Sequence, residues 1–272
     1  MKAGSIKVLG RVGLMVLMLA AVASAAVACG RGHHHRHHGD MSPEAMERRA
    51  LDRVGWVLDD IDATDKQRQA IEGQVKTMLP KAMDMRATME PRREALVQEL
   101  LSGKPNAQKV RGMVDEASVD MTAFAHQMLD EALVAHAVLN KAQRAELAER
   151  FEMPQREWEG GWMVNAAVGR VLDKFDASDA QSELVLSHVD QLETEIPGLM
   201  KVRHEARAEF VAQLRSDKPD AQRLHQLIDQ TAATYTEAAH KVAGAAVEIG
   251  ATLTTEQRSM IQEKIAERRG RK

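Results

Sequence analysis

The sequence predicts an all-α protein, and its composition is the first reason. Aromatic residues make up only 3% of the 272 residues, while Ala, Leu, Met, Glu, Gln, Lys and Arg are abundant. Sheets draw on aromatic and β-branched side chains, whereas these abundant types are strong helix formers. Four recurring helix-start motifs and an internal repeat point to the same fold class.

Composition also excludes several classes of protein. A single cysteine excludes a disulfide framework, a cysteine-based zinc site and an iron–sulfur cluster. The formal net charge of −3 disfavours a nucleic-acid binder, because phosphate contacts need a basic face. The sequence has no phosphate-binding glycine loop, nucleophile elbow or paired-histidine zinc motif, so we expect no enzymatic activity.

Residues 1–28 have the pattern of a secretory signal peptide. Lys2, Lys7 and Arg11 precede an uncharged apolar run over 12–28. Such a segment is a targeting signal and does not belong to the folded protein. We therefore expect an exported protein.

Cys29 is a candidate lipidation site. It follows Ala26-Val27-Ala28 and precedes Gly30, an order that resembles a bacterial lipobox. Processing at this point would make Cys29 a lipidated first residue and hold the chain at a membrane through acyl chains. Ordinary cleavage after Ala28, or an uncleaved anchor, is the alternative.

Residues 29–40 are predicted to form a histidine-rich tether. Five of the 11 histidines fall within six positions of this glycine-rich stretch. Neutral imidazoles on a flexible chain bind zinc, nickel or copper. A purification tag is the alternative explanation of the segment. The predicted metal ligands are His33, His34, His35, His37 and His38.

The remaining chain contains an internal repeat with a constant offset. Residues 54–67 recur at 168–181 with nine of 14 positions identical, a shift of 114. The same shift aligns later stretches without insertion or deletion, which indicates two copies of one supersecondary unit. We predict a first module over 41–153, a linker over 154–162 and a second module over 163–272.

Helix starts within each module are marked by a short polar residue three positions before a glutamine. This is the capping box, in which each side chain bonds the backbone N–H of the other residue. The pairs are Thr64 with Gln67, Asn140 with Gln143, Ser178 with Gln181, and Thr254 with Gln257.

Two further helix starts are predicted at Pro105 and Pro219, because proline suits the first helical position. Each module then has a short helix, two long helices and a second short helix. The predicted helices cover 43–61, 65–102, 105–138 and 141–152 in the first module, and 163–175, 179–215, 219–250 and 255–269 in the second.

The four capping motifs resemble the Leu-Thr-x-x-Gln motif of the Spy/CpxP family of periplasmic stress chaperones. Residues 253–258, Leu-Thr-Thr-Glu-Gln-Arg, are close to it; residues 139–144 depart at the Thr, and the other two copies lack the Leu. Zinc-resistance-associated and nickel- or cobalt-sensing periplasmic proteins are similar relatives. The resemblance implies a periplasmic, cradle-shaped helical protein without enzymatic activity. The expected partners are unfolded or partly folded periplasmic proteins and a sensor kinase, and no cofactor is required.

The double module departs from this family, whose members are typically single modules that dimerise. Joining two modules in one chain gives them a high effective concentration for each other. We therefore expect an intramolecular pseudo-dimer, with two independent modules on a linker as the alternative.

Methionines crowd the first long hairpin, close to arginines. Flexible, polarizable methionines can repack around many apolar partners. The alternatives are that these methionines fill the core, or that their thioethers bind copper(I). The predicted client-binding residues are Met78, Met83, Met85, Met89, Arg86, Arg93 and Arg207.

His126 and His240 occupy equivalent positions of the repeat. We expect each to be a half-buried helix residue, with Asp130 as the hydrogen-bond partner of His126, or else to form a metal or pH-sensitive contact between modules. The histidines without a repeat counterpart are predicted at the surface. These are His136, His188, His204 and His225.

The leading functional prediction is an ATP-independent holding chaperone or envelope-stress adaptor. The alternative is a periplasmic metal sensor or scavenger that acts through residues 33–38, and the third is a purely structural helix bundle.

Overall fold

The computed structural model describes residues 42–152 and 161–270; for 161–167 and 268–270 it describes the backbone alone. Every regular element in these two ranges is an α-helix, so the predicted all-α fold class is confirmed. The predicted signal peptide, Cys29 and the histidine-rich tether lie outside the described residues.

Eight helices follow one another in the described ranges. The first half contains α1 (Pro43–Asp60), α2 (Asp65–Leu100), α3 (Ala107–Val138) and α4 (Lys141–Phe151). The second half contains α5 (Gly161–Lys174), α6 (Asp179–Arg215), α7 (Ala221–Thr252) and α8 (Thr255–Gly270). Each begins and ends within two residues of the position that the sequence predicts.

The prediction that Pro105 and Pro219 are first helical residues is wrong. The residue after each proline caps the helix instead: Asn106 Oδ1 accepts from the backbone N–H of Lys109 at 3.0 Å. Asp220 Oδ1 accepts in the same way from Arg223, at 2.9 Å. Asn and Asp supply the side-chain acceptor that a helix start needs and that proline lacks.

Equivalent turns end α1 and α5. Asp62 and Asp176 adopt φ values of 49° and 48°, in the left-handed region that short polar residues tolerate. The backbone N–H of the following alanine then donates to a carbonyl five residues earlier, at 2.9 Å in the first half and 3.1 Å in the second. Each turn reverses the chain so that the short helix lies back against a long one.

Two long hairpins form the centre of the molecule. Helix α2 packs on α3, α6 packs on α7, and α3 and α7 pack along each other. Helix α1 closes an apolar core with α2, and α4 packs against α6, so the halves share contacts. The α1–α2 core consists of Ala50, Val54, Leu58, Ile61, Ile71, Val75 and Leu79, with Leu139. No helix of the described ranges is both long and apolar enough to span a bilayer.

Candidate functional site

A cavity of about 520 Å³ lies among α2, α3, α6 and α7, with Phe151 at the end of α4 on its edge. Apolar side chains dominate its lining. They include Met89, Leu96, Met113, Met121, Phe210 and Leu227.

The lining comes from equivalent positions of the two halves. Eleven lining residues lie on α2 and α3, and each has a counterpart 114 residues later on α6 or α7 that also lines the cavity. Leu96 and Phe210 are one such pair, and Val114 and Ile228 are another. The cavity therefore lies where equivalent faces of the two hairpins meet.

Four arginines line this otherwise apolar cavity: Arg92 and Arg93 on α2, and Arg203 and Arg207 on α6. Arg92 is balanced by Asp120, at 2.7 Å between Nη1 and Oδ2. No ion pair joins the other three to a carboxylate within 42–152 or 161–270. The site thus has a positive charge that the described carboxylates leave unbalanced.

Arg207 is the most constrained of these cations. Its Nε donates to the backbone carbonyl of Phe151. Burial, and after it the like charge of Arg203, lower the pKa of Arg207. Both effects disfavour the charged form, so a bound anion would stabilise this guanidinium.

Tyr235 contributes an aromatic ring to the cavity, and its polar tip has a partner. Its hydroxyl donates to the carbonyl of Leu199 at 3.1 Å. Burial raises the pKa of Tyr235, while the charge of Arg203 acts in the opposite direction. Tyr235 is therefore a neutral, largely apolar surface near Arg203.

The predicted client-binding residues divide into two groups. Met89, Arg93 and Arg207 line the cavity. Met78 is only 4% exposed, so it fills the core and leaves little surface for a client. Met83 packs against the α1–α2 core. Met85, which is half-buried, and Arg86, which is exposed, lie outside the cavity lining.

Several lining residues were missed at the sequence level, above all Phe151, Phe210, Leu227 and Tyr235. The signal that marks the α7 members is their helical spacing. Lining residues on α7 recur every three or four positions from 224 to 239, which places them on one face. Aligning the apolar helix faces of the two halves by the 114-residue shift would have indicated the residues on both walls of the cavity.

A histidine pair lies on the contact between α3 and α7. The rings of His126 and His225 stack with centroids 4.9 Å apart, and their Nδ1 atoms are 2.6 Å apart. Nε2 of His126 lies 2.8 Å from Asp229, and Nε2 of His225 lies 3.1 Å from Asp130. Each ring therefore contacts the other ring and a carboxylate on the opposite helix.

The expected contact of His126 with Asp130 is therefore wrong. The carboxylate of Asp130 lies against His225 on α7, while His126 reaches Asp229 on that helix. Positions 126 and 130 are one helical turn apart, but contact with α7 offers both side chains partners across the interface. His240 lies 2.7 Å from Asp115, the equivalent pair of positions.

His136 is buried, with 7% of its surface exposed, so its predicted surface position is wrong. Its Nε2–H donates to the carbonyl of Leu214 at 3.1 Å, because the end of α3 packs against the end of α6. Burial lowers the pKa of His136, and this outweighs the hydrogen bond to Leu214.

The capping glutamines do more than begin helices. Besides its cap bonds with Thr64, Gln67 donates from Nε2 to Oε1 of Gln143 at 2.8 Å, and Gln143 returns the bond at 3.1 Å. Gln181 and Gln257 form the same reciprocal pair at 2.9 and 3.0 Å. Each pair joins the start of a long helix to the start of a short one.

The metal and lipid predictions concern other parts of the chain. No cluster of three or more His, Cys, Asp or Glu side chains suited to a metal ion occurs among the described residues. The predicted ligands His33, His34, His35, His37 and His38, and the predicted lipidation site Cys29, lie outside them.

Comparison of the chain with protein-family models, with curated proteins and with solved structures finds no match.

Proposed function

We propose that this protein is a periplasmic, ATP-independent holding chaperone or stress adaptor without enzymatic activity. It binds apolar segments of unfolding proteins in the cavity among α2, α3, α6 and α7. The observation that carries the proposal is this cavity, about 520 Å³ in volume and lined by apolar side chains from four long helices.

The kinds of side chain in the lining suit clients of varied sequence. Met89, Met113 and Met121 contribute flexible thioether chains, which adapt to apolar surfaces of different shapes. Arg93 and Arg207 add positive charge for acidic parts of the same client. No cofactor is needed for such binding.

We further propose that the two halves pack as an intramolecular pseudo-dimer. Arg144 on the first half contacts Asp217 on the second. At the positions equivalent by the 114-residue shift, Arg258 on the second half lies with its guanidinium against Gly103 on the first. His126 with Asp229 and His240 with Asp115 form a second such set. Reciprocal contacts of this kind are the mark of a two-fold arrangement.

The predicted signal peptide over 1–28 and the predicted lipidation site Cys29 support a periplasmic location at a membrane. A lipid anchor at Cys29 would concentrate the protein where exported chains emerge unfolded. Residues 29–40 would then separate the folded helices from the membrane surface.

An aggregation assay tests the proposed chaperone activity. Equimolar protein should suppress light scattering by a heat-denatured client in the absence of ATP. Met89→Gln should weaken this suppression, because it places a polar amide in the apolar lining. Met85→Gln, one helical turn away and outside the lining, is the matched control.

The assay has clear adverse results. Absence of suppression by the unmodified protein would reject the chaperone proposal. Equal effects of the two substitutions would instead show that clients bind elsewhere than in the cavity.

A further inference from the structure

The cavity has the character of a small-molecule site as well as of a client surface. Its volume of about 520 Å³ falls within the range of about 300–1,000 Å³ in which ligand pockets usually lie. A ligand of that size interacts with individual side chains, so the polar groups of the lining determine its chemistry.

Three hydroxyl groups of the lining, those of Ser118, Thr122 and Thr236, are directed to other protein atoms. Thr122 and Thr236 each donate to a carbonyl one turn earlier, at 2.8 Å in both cases. The hydroxyl of Ser118 contacts that of Thr236. Since these groups have partners, this part of the lining offers mainly methyl and methylene surface, which favours an apolar chain.

The charged side chains among the lining residues are all arginines. Arg203 and Arg207 lie one turn apart on α6, and neither forms an ion pair with a described carboxylate. Burial and the charge of Arg203 lower the pKa of Arg207, since the two like charges repel each other. Partly buried charge of one sign is unfavourable until a counter-ion is supplied.

We propose that the cavity binds a medium-chain fatty acid, with its acyl chain along the faces of α3 and α7 and its carboxylate on Arg203 and Arg207. Guanidinium groups bind carboxylates through two parallel hydrogen bonds, which fixes the orientation of the head group. Binding of this ligand does not depend on chaperone activity, although both use the same cavity.

Calorimetric titration of the full folded chain with dodecanoate, below micelle-forming concentrations, tests the inference. One dodecanoate should bind per chain. Decanoate, two methylenes shorter, should bind roughly tenfold more weakly, because each buried methylene contributes to affinity. The neutral 1-dodecanol and the cationic dodecyltrimethylammonium ion should bind much more weakly.

Two arginine variants test the head-group site. Arg203→Gln and Arg207→Gln should each weaken dodecanoate binding roughly tenfold or more, since each removes charge-assisted hydrogen bonds. Lys201→Gln is the matched control, because Lys201 lies on the same helix with its side chain 75% exposed and outside the lining. It should bind dodecanoate like the unmodified protein.

Three results would overturn the inference: no saturable dodecanoate binding, equal binding of 1-dodecanol, or unchanged affinity in both arginine variants. Light scattering of a client, measured on the same preparations, separates this inference from the proposed function. Suppression of aggregation without dodecanoate binding rejects only the fatty-acid site, and the reverse rejects only the chaperone.

Discussion

At the residue scale, Gly250 lets two helices approach closely. A Cβ atom at this position of α7 would lie 2.6 Å from the carbonyl oxygen of Leu100 at the end of α2. Real Cβ atoms do not come so close to backbone oxygen, so a larger side chain must push the helices apart. The equivalent position of the first half, His136, meets the carbonyl of Leu214 through a hydrogen bond instead.

Gly250→Ala should therefore destabilise the fold by about 1–3 kcal/mol, the usual range for overpacking. Gly244 lies on the same helix, and a Cβ added at this position would meet no described atom within 4 Å beyond its chain neighbours and its own helix backbone, so Gly244→Ala is the matched control. It should stabilise by about 0.5–1 kcal/mol, because alanine favours helix over glycine. Urea denaturation of both variants measures the difference, and a neutral Gly250→Ala would refute the close approach.

His136 should make stability depend on pH. Burial lowers its pKa below the ordinary 6.5, while Arg144 nearby lowers it further and Asp217 opposes this. The unfolded chain then binds more protons, so stability is lost as the pH falls through the ordinary value. His136→Gln keeps a donor for Leu214 and should flatten this loss between about pH 7.5 and about pH 5.5.

The measurement is the urea midpoint at both pH values, with His204→Gln as a control on α6. An unchanged pH dependence in His136→Gln would show that other groups cause the loss. Burial of His136 could not be predicted, because the partner carbonyl is 78 residues away in the chain.

At the element scale, helix starts were predictable because their chemistry is local. Each capping box joins residues three apart, as the bonds between Thr64 and Gln67 show. The start of α3 was predicted at Pro105, two positions too early. The helix begins at Ala107 because Asn106 is its N-cap residue. The reciprocal bonds between glutamines span 76 residues and follow only from the packing of helices.

Gln143 and Gln257 should matter more than ordinary surface glutamines. Each is 5% exposed and bonds a second glutamine as well as its own cap. Replacing either by alanine removes the bond to the second glutamine and the side-chain acceptor of a part-buried backbone N–H, that of Asn140 or of Thr254, which destabilises by about 1–3 kcal/mol. Gln69→Ala, at an exposed position of α2, should change stability little. Equal urea midpoints for all three variants would contradict a joining role.

At the scale of the whole molecule, the cavity is a product of how two hairpins meet. The crowding of methionines and arginines in the long hairpins predicts Met89, Arg93 and Arg207 as client-binding residues; all three line the cavity, and their binding of clients stays a prediction. Phe151 and Tyr235 were missed because the walls come from helices far apart in the chain. Local patterns identify each helix face, but only the folded arrangement shows which faces enclose a site.

The central claim is that unfolding clients bind in this cavity. Photo-crosslinking tests it most directly, with a photoreactive amino acid in place of Met121 in the lining or of Val134, an exposed apolar residue of the same helix. On heating a client with each protein, position 121 should give abundant adducts and position 134 few. Absent adducts at 121, or equal yields at both positions, would contradict the claim.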